Sequence, residues 1–187
     1  MIYGVIIGYH GCDKTTAERV LTGVDDLSPG KHEYDWLGKG VYFWEDSEAR
    51  AWEWADELKV KGLVKSPAVI GAIIKPGNCL NLVDPQAAAI VSRAHDHYLR
   101  TCKENNIPAK ENAGPKLFAR YLDYAVFNTL HGLLEADKAP PYDTIRAFFT
   151  EGEPIYATSG LRTLDHVQIV VRNPKNSILG YFKPRQR

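Results

Sequence analysis

Strand-like runs at both ends of the chain enclose a helical block, and this order of patterns constrains the fold most. Residues 2–10 and 166–182 are rich in β-branched and aromatic residues and are interrupted by turn residues, as is typical of strands. Between them, Asp84–Pro85 and Pro115 each open a stretch with apolar residues at helical spacing. Helices segregated from strands along a chain indicate the α+β class. We therefore predict one α+β domain over residues 1–187, with a helical insertion at about residues 84–139.

Composition indicates the cellular environment that we expect for this domain. Its 187 residues are enough to bury a core without disulfides, and three cysteines at unrelated spacings indicate reduced thiols. The 23 basic and 23 acidic residues balance, which excludes a global basic field for nucleic acid. The start of the chain lacks the pattern of a signal peptide, and no apolar run approaches a membrane span. We expect a cytoplasmic protein, or one delivered into a target cell's cytoplasm without a classical signal peptide, and no membrane partner.

Three short motifs contain the candidate functional residues. His10-Gly11 closes the first strand-like run, and the run Gly38 to Phe43 reads Gly-Lys-Gly-Val-Tyr-Phe. Each places a polar ring beside glycine, which lets a ligand approach the backbone. In the third motif, Gln168 precedes three apolar residues and then an Asn173–Pro174 turn.

These motifs resemble those of the ADP-ribosyltransferases, in the branch that includes the poly(ADP-ribose) polymerases and diphtheria toxin. That branch carries His, Tyr and Glu on three successive motifs, and Gln168 stands in the Glu position here. The resemblance covers residues 1–83 and about 140–187. It implies an ADP-ribosyltransferase fold, in which two small packed β-sheets surround an NAD+ cleft.

The resemblance also implies roles for individual residues. In the family, the His bonds the adenosine-side ribose, the Gly backbone bonds the carboxamide and the Tyr stacks on nicotinamide, which assigns His10, Gly11 and Tyr42. Cys12 stands where many relatives have a hydroxyl residue, and Trp52 falls nearest the second stacking aromatic, so both join the NAD-binding candidates. The residues alone leave alternatives open. His10 could be kept for packing, and Trp52 could be an ordinary aromatic of an amphipathic helix.

The family's glutamate bonds a ribose hydroxyl and stabilises a cationic transition state. Gln168 can donate or accept a hydrogen bond but supplies no negative charge. The segment Arg146 to Tyr156 occupies the place of the family's acceptor loop and contains Glu151 and Glu153. Either acid could replace the missing charge, and both could equally be solvated loop acids. Arg146 is either a pyrophosphate ligand, because its fork matches phosphate oxygens, or a surface arginine.

The function that the resemblance implies is mono-ADP-ribosyl transfer from NAD+ to a protein side chain or a nucleic-acid base, as in bacterial toxins, effectors and defence enzymes. Such proteins make an inhibitory or antitoxin partner a candidate. Two alternatives stay open: an NAD+ glycohydrolase, and a catalytically silent module that binds NAD+ or ADP-ribosylated partners. We expect no metal site, because His95 and His97 are two residues apart on a predicted helix and therefore diverge.

Overall fold

The computed structural model describes residues 4–30 and 32–185, and seven strands in this part of the chain form one sheet. In chain order the strands are β1 Ile6–Asp13, β2 Val41–Glu45, β3 Pro67–Ile74, β4 Cys79–Asn81, β5 Thr144–Phe149, β6 His166–Val171 and β7 Ile178–Phe182. Their spatial order is β4-β5-β6-β2-β1-β3-β7, and all neighbours are antiparallel except β4 and β5. Residues 2 and 3 of the first predicted strand lie outside the described residues. The strand continues to Asp13, so His10 lies inside it and not at its end.

Of the two predicted helix starts in the central block, Asp84–Pro85 is confirmed and Pro115 is corrected. The helices are α1 Lys14–Leu21, α2 Glu48–Val60, α3 Pro85–Glu104, α4 Tyr121–Ala136 and the short α5 Pro174–Ser177. Asp84 caps α3 by accepting a hydrogen bond from the Gln86 N–H, with proline at the first helical position. The helix expected at Pro115 is only a 3-10 turn over Pro115–Leu117. Leu117 has φ +58°, outside the helical region, and α4 therefore starts later.

Strand β5 corrects the expected loop at residues 146–156. It pairs with β6 in the register Arg146↔Ile169 and Ala147↔Gln168. The loop that precedes β6 therefore begins at Thr150.

Both faces of the sheet are buried. On one face, α1 packs on a cluster that includes Phe43, Ile70 and Ile169. On the other face, α3 and α4 cover the β4–β5–β6 side through residues such as Phe127 and Leu130, and α2 covers β1 and β3. Burial on two faces explains the nearly continuous apolar sequences of β3 and β6. The predicted insertion is thus part of the core and covers half of one sheet face.

The centre of the sheet is held by a short ladder. Strands β1 and β2 share the registered pairs Gly8↔Glu45 and Tyr9↔Trp44, after which β1 continues beside β3 and β2 continues beside β6. The expectation of two separate packed sheets is therefore corrected to one sheet, whose halves β4-β5-β6-β2 and β1-β3-β7 are joined only briefly. Among the helices of the described ranges, none has the length and apolar character of a membrane span.

Candidate functional site

His10 lies where the β1–β2 ladder ends. Its Nδ1 is 2.8 Å from the carbonyl oxygen of Tyr42 on β2, and its ring centroid is 5.7 Å from that of Phe43. Burial lowers the pKa of His10, so the imidazole is neutral at physiological pH. Because a carbonyl can only accept, Nδ1 carries the proton, and Nε2 is left as an acceptor that a ligand hydroxyl can use.

Tyr42 is fixed by both of its polar contacts. Its hydroxyl donates to the Gly38 carbonyl at 2.7 Å and accepts from the Leu37 N–H at 2.9 Å. Burial raises the pKa of Tyr42, which keeps the hydroxyl protonated. Its ring packs against the core under α3 and α4. Because successive strand residues point to opposite faces, Tyr42 and the Phe43–His10 ring pair lie on opposite sides of β2.

Gln168 lies on the Tyr42 side of the sheet. It is paired in register with Trp44 on β2 and Ala147 on β5, and the next residue pair on that face is Val170↔Tyr42. Gln168 is half-buried, and its amide makes no side-chain hydrogen bond to any residue that the structure describes. A half-buried amide without a partner is available to a ligand.

Three buried polar atoms near Gln168 also have no partner within the described part of the chain. They are Nε1 of Trp44, Nε2 of His166 and Nε of Arg50. The rings of Trp44 and His166 are 6.4 Å apart, and each of these residues is two positions from Tyr42 or Gln168 along its strand. Buried polar groups are nearly always satisfied in proteins, so three such atoms on neighbouring elements are an unusual feature of this region.

None of these three residues was predicted from the sequence. A strand period of two would have identified Trp44 and His166 as facing the same side as the motif residues. Arg50 has no comparable sequence signal, because only the packing of α2 brings it to the site.

Glu151, and not Glu153, reaches this cluster. Its carboxylate is 2.8 Å from an Arg50 Nη2 and 3.8 Å from Nδ1 of His166, and both side chains of the Arg50–Glu151 pair are more than four-fifths buried. Nδ1 of His166 is also 2.7 Å from the Leu164 carbonyl, and burial lowers the pKa of His166 despite the nearby carboxylate. Glu153 is exposed to solvent.

Arg146 is held by another acid. Its Nε and Nη2 bond both carboxylate oxygens of Glu45, at 2.5 and 2.7 Å, and Nη1 is 3.3 Å from Asn81. This pairing raises the pKa of Arg146. Since the fork that was expected to meet the pyrophosphate is occupied by Glu45, we assign Arg146 a structural role that joins β5 to β2.

The remaining candidates divide between site and core. Cys12 is buried against α1 on the opposite face from Gly11, and burial raises the pKa of its thiol to about 12. Cys12 shares a face of β1 with His10, but its burial against α1 separates the thiol from a ligand. Trp52 lies on α2 and packs with Tyr9 and Trp44, on the face that carries Gln168.

Gly11 is required by packing, whatever its role toward a ligand. A side chain at this position would overlap the Ala51 carbonyl oxygen and lie 3.2 Å from Ala55, both on α2. We expect Gly11→Ala to lower the free energy of unfolding by roughly 1–3 kcal/mol, as overpacking does. Urea denaturation measures this effect.

Gly132→Ala is the matched control, because nothing lies within 4 Å of the added methyl group. Gly132 is exposed within α4, where alanine should raise stability by about 0.5–1 kcal/mol. Equal stability changes of the same sign in the two variants would contradict the close approach of α2 to β1.

Comparisons with known proteins assign no function to this site. No protein-family model matches the chain, and no solved structure matches it. Uncharacterized protein MJ0359 of Methanocaldococcus jannaschii is 37% identical over 65 residues, which cover 34% of this chain and 30% of that protein. The chain therefore matches less than a third of this relative's length. Across the described residues, no three His, Cys, Asp or Glu side chains are grouped to hold a metal ion.

Proposed function

We propose that this protein transfers single ADP-ribosyl units from NAD+ to a macromolecular acceptor. One observation carries the proposal: motifs more than 100 residues apart meet on the neighbouring strands β1, β2 and β6, where the β1–β2 ladder stops. Their residues lie on adjacent strands, with His10 on one face of the sheet and Tyr42 and Gln168 on the other. The fold is part of the proposal, with the two halves of the sheet taking the place of the two sheets of an ADP-ribosyltransferase.

NAD+ would lie across the end of the short ladder, because His10 and Tyr42 face opposite sides of β2. The neutral Nε2 of His10 accepts a hydrogen bond from a hydroxyl of the adenosine-side ribose. The Tyr42 ring, fixed by its two hydrogen bonds, stacks on nicotinamide. The Gln168 amide bonds a hydroxyl of the nicotinamide-side ribose.

The reaction needs a negative charge that Gln168 lacks. The bond between C1' of the ribose and the nicotinamide nitrogen breaks, and its electron pair leaves with nicotinamide. A nucleophilic atom of the acceptor then bonds C1', and its proton passes to Glu151 or water. The Glu151 carboxylate stabilises the positive charge that develops on the ribose, and Arg50 orients that carboxylate.

Nicotinamide release from NAD+ tests this function. The purified protein is incubated with adenine-labelled NAD+ in buffer, in cell lysate, and in lysate treated with nuclease or protease. Label on a macromolecule supports transfer, and release in buffer alone assigns the glycohydrolase activity instead. NAD+ binding without release in every sample assigns the silent binding module. Absence of both binding and release overturns the proposal.

The Gln168 amide provides a more local prediction. We expect Gln168→Ala to slow nicotinamide release by roughly 2- to 10-fold, as loss of one hydrogen bond does. Gln168→Glu should gain little, since it adds a second carboxylate beside Glu151. Gln86→Ala, which removes an exposed glutamine on α3, is the control and should match the wild type. Wild-type rates in both Gln168 variants would remove this residue from the site.

A further inference from the structure

A cavity of about 380 Å³ lies directly beside Glu151. Its lining combines two segments that are distant in sequence: Phe118 and Arg120, from the helical block, and Thr150, Glu151, Gly152 and Arg162, from the loop before β6. This volume lies within the range of small-ligand sites, roughly 300–1,000 Å³. Glu151 connects the cavity to the cluster around Gln168, because the same carboxylate pairs with Arg50.

One aromatic ring, that of Phe118, lines this cavity, and further rings lie close to Phe118 and Arg120. Phe118 is 39% exposed, and its ring stacks on Trp36 with centroids 5.8 Å apart and planes 13° apart. Tyr34 and Tyr121 are also exposed, with ring centroids 5.9 Å apart, and the Tyr34 carbonyl accepts from the Arg120 N–H. Exposed rings close to one another are the surfaces on which bases of single-stranded nucleic acids stack.

Two arginines also line the cavity. The Arg120 guanidinium lies 5.1 Å from the centroid of the Trp36 ring and 3.7 Å from the Asp123 carboxylate. Arg162 donates to the Gly152 carbonyl at 3.0 Å. Each guanidinium keeps further N–H donors, which suit phosphate oxygens. The carboxylate in the lining, Glu151, is already paired with Arg50, so the lining favours an anionic ligand.

We propose that this cavity binds a nucleobase of a single-stranded nucleic acid, and that this base is the acceptor of ADP-ribose. This inference rests on the proposed function. The base stacks on the outer face of Phe118, and Arg120 and Arg162 hold the adjoining phosphates. A nitrogen of the base bonds C1' of the ribose as nicotinamide leaves with the C1'–N electron pair. The proton of that nitrogen passes to Glu151 or water.

Fluorescence anisotropy tests binding without requiring any catalysis. The probes are fluorescein-labelled single-stranded DNA and RNA of about ten nucleotides, with a duplex of the same sequence for comparison. We expect single strands to bind more tightly than the duplex. Phe118→Ala should weaken binding roughly 5- to 150-fold, as loss of a stacked base does. Arg120→Ala and Arg162→Ala should each reduce the slope of log affinity against log salt by about 0.7.

The control variants remove the same side chains from positions outside the cavity. Phe148→Ala removes an exposed phenylalanine on β5 and Arg100→Ala an exposed arginine on α3; both should bind as the wild type does. Circular dichroism checks that each variant is folded. The Arg120 and Arg162 variants test the cavity independently of each other.

The outcomes separate this inference from the proposed function. Failure of single strands to bind, or equal binding by Phe118→Ala and the wild type, overturns the acceptor inference even if nicotinamide is released. Label that survives nuclease but not protease also overturns it and assigns a protein acceptor. Binding that depends on Phe118, with no nicotinamide release from any sample, upholds the nucleic-acid site and overturns the proposed transfer.

Discussion

Glu151→Gln should lower the rate of nicotinamide release by about 10²- to 10³-fold, the usual cost of losing one preorganised electrostatic group. The substitution keeps the shape of the side chain and removes its charge. Arg50 keeps an acid partner, since Glu53 is 2.6 Å away from it, so the fold should survive. The measurement is nicotinamide release at saturating NAD+, with NAD+ affinity determined separately by calorimetry.

Glu153→Gln is the matched control, because Glu153 is an exposed acid of the same loop. It should retain the wild-type rate. Equal activity in the two variants would show that Glu151 is only a structural ion-pair partner of Arg50. A drop in melting temperature without loss of activity per folded molecule would lead to the same conclusion.

Phe43→Ala should lower the free energy of unfolding by about 3–5 kcal/mol, the range measured for large aromatic residues removed from packed cores. Phe43 is completely buried, and its ring contacts strands on both sides of β2. The surrounding strands are fixed by their ladders and can collapse only partly into the space. Urea denaturation with a slope shared between the variants measures the change.

Phe148→Ala provides the comparison for this result. Phe148 is 52% exposed on β5, so its removal should change the free energy of unfolding by no more than about 0.5 kcal/mol. A cost below about 1 kcal/mol for Phe43→Ala would contradict the packing described for the centre of the sheet.

The sequence predicts the last two strands well, but it does not predict β5 or the packing of the helical block. Strands β6 and β7 begin and end with the predicted run 166–182 and lie on either side of the Asn173–Pro174 turn, since apolar runs between turn residues identify them locally. Strand β5 was missed because Arg146 interrupts its apolar pattern, and the pairing of that arginine with Glu45 is tertiary. An amphipathic stripe identifies α4 as a helix but does not indicate what it packs against, so its place in the core could not be predicted.

The candidate site residues likewise differ in whether the sequence indicates them. Short motifs in the sequence predict His10, Tyr42 and Gln168 as site residues, and the register of three adjacent strands places these motifs next to one another. Their roles stay predictions. Arg50 could not be found, because it reaches Glu151 across 101 residues of sequence. Cys12 was assigned by resemblance and Arg146 by the match of its fork to phosphate oxygens. Their surroundings, in the core and beside Glu45, could not be predicted because they depend on tertiary packing.

The short β1–β2 ladder has a mechanical consequence, because the two faces of the sheet are packed differently around it. On one face, a single core cluster that includes Phe43, Ile70 and Ile169 crosses from one half of the sheet to the other. On the opposite face, separate clusters lie under α2 and under α3 and α4. The two halves of the sheet are therefore joined differently on the two faces. A continuous core cluster joins them on the Phe43 side, whereas on the Gln168 side they are joined by the packing of Trp44 with Tyr9 and by the Arg50–Glu151 ion pair.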